Sequence, residues 1–393
     1  IAQPPTVTGI SPLTTLTSGG YVAGWNTGTK IQASDKEAAD EFGYSVSVSG
    51  DGTKVIVGAV GEDTGGSSAG AAYIFAYDGS SWTQEAKIQA SDLQASDYFG
   101  SSVSMNSDGT KVIVGAYLDD TGGGNAGEAY IFAYDGSSWT QEAKIQSSDI
   151  QASDNFGNSV SMNSGGTKVI VGAYTEDTGG SNAGSAYIFA YDGSSWSQEA
   201  KIQASASDIY TSDFFGWSVS MNSDGTKVLV GAYAQDTGGS STGAAYTFAY
   251  DGSSWTQEAK IQASDKLTGD SFGDSVSMNS DGTKVIVGAK HEDTGGYSTG
   301  SAYIFDYQAT ELFDASTQVF TATGTGIVSG STVQLEGADG TSYSVFDVTA
   351  PNAAGTQVTF KLGEIMSPSE YDAVNTNSYS IYFEPNYNSG SGR

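Results

Sequence analysis

A fivefold internal repeat constrains the fold of this 393-residue chain more than any other feature of its sequence. The same segment recurs around five Phe-Gly pairs, at successive separations of 57, 57, 59 and 57 residues, namely at Phe42, Phe99, Phe156, Phe215 and Phe272. A repeat of this period is typical of propellers and solenoids, in which each unit buries its apolar faces against its neighbours. The sequence therefore predicts one repeat architecture rather than a series of unrelated domains.

Each repeat contains four short runs with strand character, separated by turns rich in Gly, Asp, Asn and Ser. In the second copy these runs are FGSSVSM from Phe99, KVIVGA from Lys111, AYIFAY from Ala129 and WTQEAKIQ from Trp139. The KVIVGA run is apolar on both faces, as expected between two neighbouring blades. The WTQEAKIQ run carries charges that suit an outer edge. Four such strands predict a β-propeller blade with the Phe-Gly strand innermost.

The two ends of the repeated region predict how the blades close into a ring. An isolated fourth-strand sequence, YVAGWNTGTKIQAS from Tyr21, precedes the first copy, and the last copy, Phe272 to Tyr307, has three strands and no fourth. We therefore expect an all-β, five-bladed β-propeller with four-stranded blades, in which the N-terminal strand at Trp25 completes the last blade. An open solenoid is the alternative, and it would leave an orphan strand at each end.

The residues outside the repeats predict a second, smaller domain. Residues 309–393 contain alternating runs that predict a small Ig-like β-sandwich and a C-terminal linker: TQVFTATG from Thr317, STVQLEG from Ser331, SYSVFDV from Ser342, TQVTFKLG from Thr356 and SYSIYFE from Ser378. Residues 1–19 contain PPTVTGISP from Pro4, which predicts one further strand. That strand belongs either to the same sandwich, with the propeller of residues 20–308 inserted, or to the sandwich of the next subunit in a filament.

The charge of the chain excludes several classes of partner. The chain has 15 Lys plus Arg against 45 Asp plus Glu, a net charge of −30, and its one Arg is the terminal Arg393. Phosphate recognition needs clustered basic residues, so we expect no nucleic-acid binding. No apolar window is long enough to span a membrane, so we expect no membrane insertion. Because Ile1 does not open a signal peptide, we expect a processed chain or part of a longer one.

The chain also lacks the residues on which most catalytic sites depend. It has no Cys and one His, which excludes thiol catalysis and most imidazole chemistry. It contains no nucleophile elbow, phosphate loop or His-rich metal motif. A glycosidase needs two carboxylates at unique positions, whereas nearly every acidic residue of the propeller has four equivalents. We therefore expect no enzymatic activity and no catalytic residues.

The repeats resemble a known family. The string FGYSVSVSGDGTKVIVGA from Phe42 and its four companions resemble the FG-GAP repeat of integrin α-subunit propellers and of many bacterial, algal and viral surface proteins. The resemblance implies a propeller that mediates adhesion or recognition and is exposed outside the cell. At the ends, PTVTGISPLTTLTSGG from Pro5 and FTATGTGIVSGSTVQLEG from Phe320 resemble IPT/TIG immunoglobulin-like modules.

The calcium site that the integrin resemblance implies is degenerate in this chain. Integrin-like blades bind Ca²⁺ through oxygen ligands at four positions of a loop. Those positions hold Ser47, Ser49, Asp51 and Val55 in the first copy, and Ser104, Asn106, Asp108 and Val112 in the second; Gly165 replaces the Asp in the third. We therefore interpret the Asp-Gly pairs as tight hairpin turns. We expect no metal and no cofactor, with calcium as the open alternative.

Differences among the five copies indicate where ligand contacts lie. The turns NSDGTK and YDGSSW hardly change, whereas the connections on the opposite face of the propeller vary. On that loop face, six residues of the fourth and fifth repeats are candidate ligand contacts: Tyr210, Phe214, Trp217, Lys290, His291 and Tyr297. The alternatives are that Trp217 fills the space between blades, beside Phe215 and Val219, and that His291 is a solvated loop residue.

Two sets of recurrent aspartates lie on the same loop face. The first set is Asp40, Asp97, Asp154, Asp213 and Asp270, and the second is Asp63, Asp120, Asp177, Asp236 and Asp293. Such residues either ring the face with cation ligands or bond to turn amides, and we favour the turn amides.

Together these features predict a non-enzymatic surface protein for adhesion, recognition or assembly, located extracellularly on a cell surface or virion surface. Its expected partner is a protein or glycan on another surface, or copies of itself in an appendage filament or virion fibre. The alternative is a lectin whose loop-face aromatics stack on glycans.

Overall fold

A computed structural model describes residues 28–307 and short strands between residues 313 and 384. The chain divides into two compact units, Ile1–Asp306 and Tyr307–Arg393. The predicted strands at Pro4 and Trp25 lie outside the described residues, and so do the ring closure by Trp25 and the IPT/TIG-like segment from Pro5. Within the described part, no helix is long and apolar enough to cross a membrane.

The first unit contains five antiparallel sheets, one from each repeat, with the strands in chain order. We call them blades one to five. Blade one consists of β1 (Val46–Val48), β2 (Lys54–Ala59), β3 (Ala71–Tyr77) and β4 (Trp82–Ile88). Blade two consists of β5 (Ser102–Met105), β6 (Lys111–Ala116), β7 (Glu128–Tyr134) and β8 (Trp139–Ile145). Blade three consists of β9 (Phe156–Met162), β10 (Lys168–Ala173), β11 (Ser185–Tyr191) and β12 (Trp196–Ile202).

Blade four consists of β13 (Ser218–Met221), β14 (Lys227–Ala232), β15 (Ala244–Tyr250) and β16 (Trp255–Ile261). Blade five consists of β17 (Phe272–Met278), β18 (Lys284–Ala289) and β19 (Ser301–Asp306). The all-β repeat architecture and its five blades are therefore confirmed. Four strands per blade are found in blades one to four, and the fifth blade has three within the described residues.

Turn chemistry sets the limits of the strands. Between β5 and β6, the side-chain oxygen of Asn106 accepts hydrogen bonds from the backbone N–H groups of Thr110 and Lys111, both at 2.9 Å. Between β7 and β8, Asp135 accepts bonds from two successive serine amides, both at 2.8 Å. These amide bonds hold the pKa of Asp135 down at about 2. The Asp and Asn residues of both turns therefore stabilise hairpins, as the turn interpretation predicts.

Successive blades pack face to face through four equivalent interfaces. Between blades one and two, Ile74 and Ile88 contact Phe99, Val114 and Tyr130 in a single buried cluster. The Phe99 ring lies 5.6 Å from the Tyr130 ring, a separation typical of favourable aromatic pairs. Burial of each large side chain of this kind contributes roughly 1.5–3 kcal/mol. Equivalent clusters join blades two and three, three and four, and four and five.

The second unit contains eight short strands in the described residues. They are β20 (Phe313–Asp314), β21 (Phe320–Thr323), β22 (Thr332–Glu336), β23 (Ser342–Tyr343), β24 (Val345–Phe346), β25 (Gln357–Leu362), β26 (Ile365–Met366) and β27 (Ser380–Glu384). They pair antiparallel in the orders β20-β26, β21-β25-β24 and β23-β22-β27. Each of the five runs that the sequence predicts here contains at least one strand. Their arrangement as an Ig-like sandwich stays a prediction.

Candidate functional site

The candidate site lies where the second strand of a blade ends and the first strand begins. Tyr174 directly follows β10, Tyr233 follows β14 and Lys290 follows β18. Trp217 directly precedes β13, and Phe214 lies three residues before Trp217. Because the first and second strands of a blade are antiparallel, their start and end lie side by side at one end of the blade. The sequence thus brings these five side chains to the same end of blades three, four and five.

Four rings from blades three and four form an aromatic cluster, which we define as Tyr174, Phe214, Trp217 and Tyr233. Phe214 stacks on Tyr233 with ring centroids 5.4 Å apart and an interplanar angle of 8°. Trp217 meets Tyr174 and Tyr233 edge-on, at 4.9 and 4.8 Å. All four residues are only partly buried, so the cluster is partly accessible to solvent.

The backbone holds Phe214 and Trp217 in a fixed turn. Phe214 adopts φ 56, its N–H donates to the Asn182 carbonyl at 3.2 Å, and its own carbonyl accepts the Trp217 N–H at 3.2 Å. A large residue in this left-handed region is uncommon and persists only where the surrounding structure fixes it. The equivalent residues of the other copies also have positive φ: Glu41, Tyr98, Asn155 and Ser271. The turn is thus a feature of the repeat, and it sets the backbone positions from which the two rings project.

One ion pair borders the aromatic cluster. Lys290 Nζ lies 5.8 Å from the centroid of the Tyr233 ring and 2.6 Å from Asp274 Oδ1. A lysine at this distance from a ring is attracted to its face. Burial raises the pKa of the Tyr233 hydroxyl above its ordinary value, and Lys290 opposes that shift. The site therefore combines neutral phenols with one cation and one carboxylate.

Further tyrosines extend the aromatic surface towards blades one and two. Tyr98 stacks on Tyr117 with centroids 6.1 Å apart. Burial raises the pKa of the Tyr117 hydroxyl, and the nearby phenols of Tyr44 and Tyr174 add to the shift. Tyr117 directly follows β6, so this pair lies at the same end of blade two.

The structure brings three of the six predicted site residues together, namely Phe214, Trp217 and Lys290. The other three lie on loops and make no ring contact with the cluster. Tyr210 is 52% exposed and donates to the Ser207 carbonyl, His291 is exposed, and Tyr297 is 94% exposed. Trp217 packs between blades, as the alternative interpretation predicts. Its ring contacts Tyr174 and Tyr233, and the residue is only partly buried.

Sequence reasoning missed Tyr174 and Tyr233. Both stand directly after the Gly-Ala that ends a second strand, a position with Tyr in the second, third and fourth copies. Because three copies share the same residue, this position cannot be told apart from positions that only stabilise the fold. The available signal was the change to Val60 in the first copy and to Lys290 in the fifth.

Both sets of recurrent aspartates bond to turn amides. In the first set, Asp97 accepts the Gln94 N–H at 2.6 Å, and the other four make the same bond. In the second set, Asp120 accepts the Asn125 N–H at 2.8 Å, and its four equivalents do likewise. Across the residues that the structure describes, no group of three or more His, Asp or Glu side chains is arranged to hold a metal ion.

Comparison with known proteins identifies the repeats. Five segments of the chain match the FG-GAP repeat: residues 25–75, 82–132, 139–189, 196–248 and 255–305. Together they cover more than half of the chain. Each match contains the first three strands of one blade, and the fourth strand of blades one to four begins the next match. No curated protein matches the chain in sequence.

Several solved structures share a broadly similar chain trace. Hydrazine synthase of Kuenenia stuttgartiensis has 12% identity and a TM-score of 0.45, over 73% of this chain and 67% of that one. A putative 6-phosphogluconolactonase of Bacteroides uniformis has 11% identity and a TM-score of 0.46, over 87% and 88%. A functionally unknown protein of Desulfotomaculum acetoxidans has 10% identity and a TM-score of 0.40, over 66% and 69%.

Proposed function

Because this chain belongs to the FG-GAP repeat family, we propose that it is a non-enzymatic recognition protein that works outside the cell, on a cell or virion surface. It binds a partner on another surface through the aromatic cluster. The observation that carries this proposal is the cluster itself: four partly exposed rings with neighbouring centroids 4.8 to 5.9 Å apart, held by the strand ends of two blades.

The physical character of the cluster suits binding. Tyr and Trp supply large contact areas with few rotatable bonds, and they dominate the affinity of many interfaces. The rings of the cluster already pack on one another, so little side-chain entropy is lost when a partner covers them. The Lys290–Asp274 pair at the border adds one donor and one acceptor that orient a polar partner.

The carboxyl groups with raised pKa values do not form a catalytic pair. Burial raises the pKa of Asp97, Asp154 and Asp213 to about 6. Each is at most 3% exposed and bonded to the turn three residues before it. A glycosidase acid has to reach the glycosidic oxygen of its substrate. These three groups therefore support a structural role.

A glycan is the second candidate ligand. Exposed tyrosine and tryptophan faces stack on the apolar faces of sugar rings, while their hydroxyl and N–H groups remain available for hydrogen bonds. The Phe214–Tyr233 stack next to the Lys290–Asp274 pair presents both kinds of surface. This combination supports a lectin as the second candidate function.

Binding of the labelled intact chain to a broad glycan array and to whole cells tests the proposal. We expect binding that falls about tenfold or more in Trp217→Ala, because a central aromatic anchor is lost. Tyr297→Ala is the matched control, since Tyr297 is 94% exposed and lies outside the cluster. Equal binding by wild type and Trp217→Ala, or a loss confined to Tyr297→Ala, would contradict the proposal.

Competition separates the two classes of ligand. If the partner is a glycan, a free oligosaccharide from the array displaces the chain, and enzymatic removal of glycans from the cells abolishes binding. If the partner is a protein, protease treatment abolishes binding and the array stays blank. In both cases the loss with Trp217→Ala is expected.

A further inference from the structure

Three positions of the repeat hold a different residue in each of its five copies. They are the residue before the Phe-Gly pair, the residue after that pair, and the second residue after the Gly-Ala that ends the second strand. In the third copy these positions hold Asn155, Asn158 and Thr175. By contrast, the second strand reads KVLVGA in blade four and KVIVGA in the other blades. The copies therefore differ most at one end of each blade, where the first strand starts and the second strand ends.

Solvent exposure does not explain where the copies differ. Residues 78–81 form an exposed turn, and its sequence DGSS is identical in blades one to four. Asn155 is only 8% exposed and Ser271 only 5%, yet the position that they share differs in every copy. Substitutions are tolerated most easily at exposed positions, so relaxed constraint alone would have varied the turn instead. The variation points to contacts that are particular to each blade.

The side chain of Asn155 joins blade two to the aromatic cluster. Its Nδ2 donates to the Tyr117 carbonyl at 3.2 Å, and its Oδ1 accepts the Thr175 hydroxyl at 2.6 Å. Thr175 directly follows Tyr174 of the cluster. The Tyr98–Tyr117 pair of blade two therefore lies next to the chain segment that carries Tyr174.

Asn158 links blade three to the other side of the cluster. Its Nδ2 donates to the Trp217 carbonyl of blade four at 2.8 Å. Asn155 and Asn158 thus connect blade three to both of its neighbours, and no other copy has asparagine at either position. We define the extended surface as the aromatic cluster together with Tyr98, Tyr117 and Asn158, all of them partly buried.

The chemistry of the extended surface indicates the kind of partner. It carries no charged side chain, although the chain has a net charge of −30, and six of its seven residues are aromatic. The amide of Asn158 already donates within the chain. The centres of protein–protein interfaces are likewise enriched in aromatic residues and depleted of charged ones. Binding loops that recognise proteins also rely on Tyr, Trp and Asn.

We propose that the extended surface binds a protein whose contact patch is apolar at its centre and basic at its rim, and that Tyr98 and Tyr117 contact this partner. The apolar centre matches the uncharged aromatic residues, and the basic rim matches the negative charge of the surrounding chain. A glycan fits less well, because its many hydroxyl groups need hydrogen-bond partners. The proposal rests on the recognition function proposed above and extends its site to blade two.

Binding of the labelled intact chain to whole cells tests the extended site. Tyr98→Ser and Tyr117→Val each introduce the residue that another copy has at the same position, Ser271 and Val60, so both variants should fold, as thermal unfolding will check. We expect each variant to bind about fivefold more weakly than the wild type, because an aromatic contact is lost. Tyr297→Ser is the matched control: it replaces a 94% exposed aromatic residue by one that other copies have there, and it should bind like the wild type.

Trp217→Ala separates this inference from the proposed function. If Trp217→Ala loses binding while Tyr98→Ser and Tyr117→Val bind like the wild type, the aromatic cluster recognises the partner and the extension to blade two is wrong. If Trp217→Ala binds like the wild type, or if no cells bind the chain, the proposed function fails and this inference fails with it.

Treatment of the cells and added salt test the kind of partner. Protease treatment should abolish binding, and enzymatic removal of glycans should leave it intact. A rising NaCl concentration should weaken binding, because salt screens the attraction between the acidic chain and a basic rim. Binding that is lost on removal of glycans, or that is unchanged by protease or by salt, would overturn the assignment to a protein of this kind.

Discussion

At the scale of single residues, burial decides what one recurrent side chain does. Asp213 is 2% exposed, and its Oδ2 accepts one turn amide at 2.8 Å. Desolvation raises its pKa to about 6. The exposed turn residue Asp192 accepts two serine amides, and these lower its pKa to about 2. Both residues hold turns, but they respond to pH in opposite directions.

We expect Asp213→Asn to change how stability depends on pH. The pKa of Asp213 is higher in the folded chain than its ordinary value of 3.8, so its protonated form stabilises the fold. That contribution is complete below pH 3.8 and is lost as the pH rises through about 6. Thermal unfolding followed by circular dichroism should show the variant gaining stability relative to wild type between about pH 4 and about pH 7.

Asp192→Asn is the matched control for this prediction. Because the pKa of Asp192 is lowered, its stabilising charge is lost only as the pH falls through about 2. Its difference from wild type should stay constant over the same range. A constant difference for Asp213→Asn as well would show that Asp213 does not titrate in this range.

At the same scale, only some residues of the candidate site could be predicted from the sequence. Phe214, Trp217 and Lys290 could be selected because they differ from their copies in the other repeats. Tyr174 and Tyr233 were harder to select, since the same position holds Tyr in three copies and only the changes to Val60 and Lys290 mark it. Tyr210 and Tyr297 differ equally between copies, yet their loops stand apart from the strand ends that gather the cluster.

At the scale of elements, the strands could be predicted closely. Apolar alternation and Asp-Gly or Asn turns are local signals, and the hydrogen bonds of Asn106 and Asp135 stop each strand where those residues stand. Contacts between blades join residues that are far apart in the sequence, but equivalent contacts occur at all four interfaces between successive blades. Small residues at fixed positions, such as Gly231, therefore acquire a meaning once the blades are stacked.

We expect Gly231→Ala to destabilise the first unit. The new Cβ would lie 2.1 Å from the Gly273 carbonyl oxygen of blade five. Overpacking against backbone typically costs about 1–3 kcal/mol. Urea unfolding should therefore show a lower midpoint for this variant.

Gly288→Ala is the matched control, because it makes the same change where the nearest atom is the rotatable Ser275 hydroxyl. Its unfolding midpoint should equal that of the wild type. Equal losses in both variants would contradict the blade-packing account of these glycines.

At the scale of the whole molecule, the large negative net charge is the main influence on stability. The chain carries a net charge of −30, and such self-repulsion opposes a compact state. The lysines that are present bind carboxylates between strands, as Lys54 does with Glu85 at 3.0 Å. They neutralise only a minority of the acidic groups.

We expect the thermal stability of the chain to rise with salt. Added ions shorten the Debye length from about 30 Å at 0.01 M to about 8 Å at physiological strength, and so screen the repulsion. Differential scanning calorimetry at increasing NaCl should show a rising midpoint, with sucrose at equal osmolarity as the control for general exclusion effects. A midpoint that falls with salt would mean that the ion pairs outweigh the repulsion.

Hydroxyl-radical footprinting of the chain, free and bound to the cells or glycans it recognises, tests the central claim most directly. It reports the solvent exposure of aromatic side chains through their rate of oxidation and requires no substitution of the residues themselves. We predict that binding protects Tyr174, Phe214, Trp217 and Tyr233 and leaves Tyr297 unchanged. Protection of Tyr297 or of the outer-strand tryptophans, with the aromatic cluster as reactive as in the free chain, would contradict the assignment of recognition to this cluster.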